Sequence, residues 1–296
     1  PDSITGCIGS YAVGRLTRMT DESGTTTYCY DRRGNILRKV QATALDTLAM
    51  AYTWTKADLP DSITYPGGRI INYGRNGNGQ ITSVAMRSSA GAAPISLVSD
   101  ASYYPFGPMN RLTFGNGRSL TKTYDGDYAI DSVASSDPNG LVLDFSTDVM
   151  GNITAASNTL GAATPTRQYD YDALYRLTEV KDGSNAVLEH YAYSKTGDRT
   201  QKTLVGQAPQ SYAYVPGTHH LASVDGNQRE YDSNGNTTLN PDALSSAFIY
   251  DDRNRLSEMP GLRSAQYRYN ARGERVGKLN AFGYSGGVSD RPNGAI

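Results

Sequence analysis

Tyr28-Cys29-Tyr30-Asp31-Arg32-Arg33-Gly34-Asn35-Ile36-Leu37 decides how the chain is read. The approach, Thr25-Thr26-Thr27-Tyr28-Cys29-Tyr30, is β-branched and aromatic, so Thr26, Tyr28 and Tyr30 share one face of a strand. Asp31-Arg32-Arg33-Gly34 is a turn: Asp accepts bonds from nearby backbone amides, and Gly takes a positive φ without strain. Asn35-Ile36-Leu37-Arg38-Lys39-Val40 then reads as the return strand. The stretch is therefore a β-hairpin.

The same hairpin recurs. Tyr231-Asp232-Ser233-Asn234-Gly235-Asn236 repeats it most faithfully. Tyr171-Asp172, Tyr193 with Gly197, Tyr250-Asp251 and Tyr269 with Gly273 are drifted copies. Aromatic anchors at Tyr11, Tyr30, Trp54, Tyr73, Tyr104, Tyr124, Phe145, Tyr171, Tyr193, Tyr214, Tyr231, Tyr250 and Tyr269 give a period of about twenty residues. One such unit cannot bury a core alone, so neighbours must stack. The expected structural anchors are Tyr30, Asp31, Gly34, Tyr171, Asp172, Tyr193, Gly197, Tyr231, Asp232, Gly235, Tyr250, Asp251, Tyr269 and Gly273. Gly34, Gly197, Gly235 and Gly273 are predicted at φ > 0. Tyr30, Tyr171, Tyr231 and Tyr250 are predicted to be buried and stacked row on row.

Between hairpins no stretch shows helical period or caps. The prediction is an all-β chain: one long antiparallel meander of hairpins that cannot stay flat and coils into a spiral sheet. Residues 1–296 read as a single array, with inserted loops near 86–98 and 157–167, the second around Gly161-Ala162-Ala163-Thr164-Pro165. The array runs to both ends, so the chain is expected to be a segment of a longer protein.

Composition agrees with strands. The 296 residues include 22 Tyr against 5 Phe and 1 Trp, and Tyr combines an apolar ring with a polar tip, suited to a half-wet sheet face. A net charge of -1 gives no electrostatic reason to expect a nucleic-acid partner. No apolar run is long enough for a membrane-spanning helix. Cys7 and Cys29 are too few for a disulfide framework and read as two small, half-buried strand residues.

The Tyr-Asp-x-x-Gly-Arg/Asn-Leu pattern resembles the RHS or YD-repeat family, on Tyr28 to Leu37, Tyr171-Asp172-Ala173-Leu174-Tyr175-Arg176-Leu177-Thr178, Gly14-Arg15-Leu16-Thr17 and Asn110-Arg111-Leu112-Thr113. The likeness covers essentially the whole chain. The family includes C subunits of bacterial insecticidal Tc toxins, polymorphic Rhs toxins and animal teneurins. The resemblance implies part of a hollow shell enclosing a C-terminal toxin or effector domain, secreted or exported. Its implied partners are the rest of the shell, the enclosed domain, and a Tc-toxin B subunit or type VI secretion components. A teneurin-like adhesion or carbohydrate-binding module is the alternative. In the bacterial toxins the repeats end in an autoprotease core rich in Asp-Pro-x-Gly-Leu. Here Asp137-Pro138-Asn139-Gly140-Leu141 lies mid-array and runs into a strand, so it reads as a turn.

No catalytic, metal or cofactor site is expected. His219 and His220 are adjacent, so on a strand they would face opposite ways. His190 stands alone. Gly74-Arg75-Asn76-Gly77-Asn78-Gly79 lacks the helix that a phosphate loop needs and reads as a hairpin turn. Asn152 and Asn236 match glycosylation acceptors, but the repeat turn explains both.

Overall fold

The computed structural model describes residues 7, 9–105, 107–158, 166–243, 247–261, 264–280 and 283–286. The second inserted loop, Gly161 to Pro165, lies outside them. The described residues form strands and no helix. They pack as two units: residues 1–97 with 230–296, and residues 98–229.

The first unit opens with β1 (Arg18–Asp21), β2 (Gly24–Tyr30), β3 (Ile36–Ala42), β4 (Thr47–Trp54), β5 (Pro60–Thr64), β6 (Ile70–Arg75) and β7 (Ile81–Arg87). Each pairs antiparallel with the next. The second unit continues with β8 (Ile95–Tyr103), β9 (Met109–Phe114), β10 (Ser119–Tyr124), β11 (Ile130–Ser135), β12 (Val142–Thr147), β13 (Ile153–Asn158), β14 (Arg167–Tyr171), β15 (Leu177–Asp182), β16 (Val187–Tyr193), β17 (Arg199–Leu204), β18 (Gln210–Tyr214), β19 (Leu221–Val224) and β20 (Asn227–Gln228). Here too sequential neighbours pair antiparallel. The chain returns to the first unit with β21 (Glu230–Tyr231), β22 (Thr237–Leu239), β23 (Ile249–Tyr250), β24 (Leu256–Met259), β25 (Ala265–Tyr269), β26 (Arg275–Asn280) and β27 (Gly283–Gly286). β21 pairs with β22, and β23–β27 form a second meander. The first insertion is the link 88–94 between β7 and β8, narrower than the sequence suggested because both flanking strands extend into it.

A register shift fixes the true repeat. The bulge falls just before Tyr30, Trp54, Arg75, Tyr103, Tyr124, Thr147, Tyr171, Tyr193, Tyr214, Tyr231, Tyr250 and Tyr269. A bulge twists a hairpin locally, so repeating it applies the same added twist at each repeat. Three expected anchors move: Tyr73 gives way to Arg75, Tyr104 to Tyr103 and Phe145 to Thr147. Each aromatic lies within two residues of the structural position, and a spacing count alone cannot resolve that offset.

The core lies in the first unit, where Tyr28, Tyr30, Ile36, Met50, Tyr52 and Ile63 cluster, with Trp54, Tyr65 and Tyr73 against them. Thr26, Tyr28 and Tyr30 are buried on their common face, as the alternation required, but so is Cys29 on the other face. The reason is a Cys7–Cys29 disulfide, Cα–Cα 5.9 Å, that ties Cys7 to β2. This corrects the reading of two independent half-buried thiols: residues 22 apart give no local signal of pairing. In the second unit few side chains are fully buried, Val180 and Val224 among them.

Candidate functional site

The recurring unit of chemistry is the turn and its grip on the next repeat. In 31–35, the Asp31 carboxylate accepts from the amides of Arg33, Gly34 and Asn35 at 2.8–2.9 Å. The Asp31 amide donates to the Asn35 carbonyl at 2.9 Å. Asp148, Asp172, Asp232 and Asp251 accept amide bonds in the same way. Gly34, Gly197, Gly235 and Gly273 have φ of 101, 97, 84 and 78°. At the equivalent position, four residues after the anchor, Asp58, Tyr128, Tyr175 and Asn254 also take positive φ.

The residue after the left-handed turn position links rows. Arg176 holds Asp172 of its own turn through Nε at 2.7 Å. It also donates to the Ser194 carbonyl of the next turn at 2.9 Å and stacks 4.8 Å from the Tyr193 ring centroid. Arg255 repeats this with Asp251, the Asn270 carbonyl and the Tyr269 ring, again at 4.8 Å. Arg15 does so on Tyr30 at 5.7 Å, donating to the Asp31 carbonyl. Two Asn residues at this place reach the left-handed residue of the next turn instead: Asn35 bonds Asp58 at 2.7 Å, and Asn236 bonds Asn254 at 3.0 Å.

Several anchor rings then bond back. The hydroxyls of Tyr30, Tyr171, Tyr193, Tyr214 and Tyr269 donate to the carbonyls of Leu16, Ile153, Leu177, Arg199 and Leu256 at 2.6–3.0 Å. The Trp54 indole donates to the Ile36 carbonyl at 2.9 Å. These bonds correct the expectation of ring stacking. Consecutive anchors lie two strands apart, about 9.5 Å, whereas aromatic pairs need centroids within about 7 Å. A hydroxyl or a guanidinium bridges the gap at these anchors, whereas Tyr104 meets Tyr124 of the next repeat edge to face, with ring centroids 5.6 Å apart. Tyr30 is buried, while Tyr171, Tyr231 and Tyr250 are half-buried.

These bonds set the acidity of the turns. Burial alone would raise Asp31, but bonds from Asn35, Gly34 and Arg33 hold it below the usual carboxylate range. Asn152 lowers Asp148, Arg176 lowers Asp172 and Asn236 lowers Asp232. Burial and the bond to Glu189 push Tyr191 up to about 12.

Among the described residues no three of His, Cys, Asp and Glu gather to hold a metal. His219 bonds Asp198 at 2.7 Å, and His190 lies 3.6 Å from Glu179. Asp137 opens a turn closed by the Gly140 amide at 2.8 Å and pairs with Arg118. Gly79, at φ 80°, closes the turn after Asn76. Each of these groups is absorbed by the hairpins. In the first unit, an open pocket of about 390 Å³ lies among Glu22, Ser23, Asp251, Arg255, Tyr267 and Tyr269.

The first and last repeats of that unit meet at a seam. Lys39, 2% exposed at its side chain, donates to both oxygens of Glu274 at 2.7 and 2.8 Å. The Ala271 amide donates to Asp21 at 2.7 Å. Asn270 and Thr26 are wholly buried, and Thr26 donates to Gln41 at 2.6 Å. Sequence reasoning missed this seam, because its partners lie at opposite ends of the chain.

The fold has solved relatives. The crystal structure of TcdB2-TccC3-Cdc42 superposes with a TM-score of 0.77 at 16% identity, covering 92% of this chain and 16% of that one. TcdB2-TccC3 gives 0.76 at 17% identity, covering 90% and 16%. The Photorhabdus luminescens Tc holotoxin pore gives 0.76 at 16%, with the same coverage. The chain thus spans about a sixth of the length of these matches. No curated protein sequence matches it. The RHS repeat model matches residues 11–44. The teneurin YD-shell model matches residues 112–286, more than half of the chain, and the chain belongs to that family.

Proposed function

We propose that the chain is a structural, non-enzymatic segment of a YD-repeat shell that encloses a toxin or effector domain. The observation that carries this reading is the use of each turn's polar groups. The Asp carboxylate, the following Arg or Asn and the anchor hydroxyl bond to their own turn or an adjacent repeat. Chemistry spent on joining rows suits a wall. In this reading residues 1–296 are one continuous array, and the cited Tyr, Asp and Gly positions are its structural anchors. The partners are the rest of the shell, the enclosed domain and a Tc-type B subunit or secretion component. The reading places the protein outside the cytoplasm of a bacterial producer, and the Cys7–Cys29 disulfide favours an oxidising location.

The test is limited proteolysis of the full product of the gene. A domain outside the array should resist cleavage while the shell is intact and become sensitive when Arg176→Ala and Arg255→Ala loosen the rows. A domain cut as fast in the full product as when expressed alone overturns containment. A second reading, a teneurin-like adhesive or sugar-binding module, is favoured by the teneurin YD-shell match and by the pocket beside Tyr267 and Tyr269. It predicts saturable glycan binding that Tyr267→Ala abolishes.

A further inference from the structure

Arg199, in the second unit, is a cation without an anion. Its guanidinium lies 4.3 Å from the Tyr212 ring centroid and 5.9 Å from that of Tyr191. Its Nε is buried and makes no hydrogen bond, and no ion pair of Arg199 is found among the described residues. A charge drawn out of water toward ring faces is costly unless an anion meets it. The neighbouring carboxylates are already engaged. Glu189 takes the Tyr191 hydroxyl and pairs with Lys202 at 3.3 Å. Asp182 accepts from Ser184 and stands opposite Arg167.

The repeat shows what such a place receives. Tyr28 and Tyr191 each stand two residues before an anchor, and each faces a lysine across its hairpin, Lys39 and Lys202. The ammonium lies 6.0 Å from the Tyr28 ring centroid and 5.7 Å from that of Tyr191. In the first unit this place is covered: the turn before β26 delivers Glu274 to Lys39, whose side chain is 2% exposed. In the second unit it is open: Lys202 keeps 29% of its side chain exposed, and Tyr191, Arg199 and Tyr212 are half-buried. The filled form of the place thus occurs in the same chain, and its filler is a carboxylate carried on a separate run of polypeptide.

We propose that the tyrosine face of the second unit binds an acidic polypeptide segment in extended form, with a Glu or Asp carboxylate seated on Arg199. The guanidinium is a planar fork of donors that matches a carboxylate. The rings of Tyr191 and Tyr212 flank it with apolar surface for the segment's other side chains. A nucleic acid suits the face less well, because Glu189 and Asp182 lie on it and repel successive phosphates. The proposal does not depend on containment: a wall can enclose a domain that it does not grip, and a face can bind a segment that no shell encloses.

Fluorescence anisotropy on the full chain tests this, with labelled peptides of about twelve residues that alternate Ser with Glu, Gln or Lys. Extended, each spans about 40 Å, or about four repeats. The Glu peptide should bind saturably and lose affinity as salt is added, and the Gln and Lys peptides should not bind. Arg199→Gln should weaken the Glu peptide at least about tenfold, with melting close to wild type. Lys181→Gln removes the same charge on the opposite face of β15 and should leave binding unchanged. A Glu peptide that fails to bind overturns the proposal. So does an Arg199→Gln chain that binds it like the wild type, or an equal loss from Lys181→Gln. A single-stranded oligonucleotide of like length that binds more tightly than the Glu peptide would also overturn it.

Discussion

At the left-handed turn position the backbone alone decides which residue fits. Gly197, at φ 97°, and Gly273, at φ 78°, have open space where a Cβ would stand, so substitution there isolates the conformational cost from any clash. Gly197→Ala and Gly273→Ala should each lower stability by about 1 kcal/mol, the cost of a left-handed non-glycine residue. Thermal melting checks this, and unchanged melting would remove the strain from the account. Tyr175→Asn should act the other way and raise the melting temperature, because Asn tolerates this conformation better than Tyr. The glycines were legible in the sequence by their fixed offset from the anchor. Tyr175 and Asn254 were not legible as their equivalents, since only the backbone angle reveals that they do a glycine's work.

At the scale of the hairpin, the Arg of one repeat and the Tyr of the next form the joint. Arg176→Ala removes a bond to the Ser194 carbonyl and the stacking on Tyr193. It should cost about 2 kcal/mol, and Arg176→Lys should not restore it, since an ammonium lacks the planar fork. Chemical denaturation of both variants measures this. The joint also makes the fold acid-sensitive. Asp148, Asp172 and Asp232 have folded pKa values below their unfolded ones. Their contribution is full above the unfolded carboxylate value of about 4 and is lost as pH falls through the lower folded values. Melting temperature should therefore hold steady from neutral pH to about 5 and drop below about 4; a flat profile down to pH 2 would contradict the turn bonding. The hairpins themselves were plain in the Tyr-x-Tyr alternation. The bulge that sets their register was not: side chains two apart share a face, so Tyr73 and Phe145 looked like anchors although Arg75 and Thr147 hold those places.

At the scale of the molecule, the first unit is assembled from both ends of the sequence, and no local pattern announces that. Two links hold its early strands. The disulfide closes a loop over a separation of 22 residues, for which loop entropy gives about 3 kcal/mol. Reduction, or Cys7→Ser, should lower the unit's stability by about that amount. The buried Lys39–Glu274 pair is the other link, and its energetics are not those of a surface bridge. Lys39 has left water and Glu274 keeps only 14% of its side chain exposed, and Lys39 also sits 6.0 Å from the Tyr28 ring centroid. Losing one partner strands the other. Glu274→Gln or Lys39→Met alone should therefore destabilise by about 3 kcal/mol or more, whereas the double variant Lys39→Met with Glu274→Leu should regain much of that loss. A double-mutant cycle by urea unfolding measures the coupling. If the pair joins the two runs, the singles should also speed proteolysis of residues 230–280 and of β2–β3 together, because the seam opens on both sides at once. Additive single effects, or cleavage confined to one run, would mean that the first and last repeats fold separately and only touch.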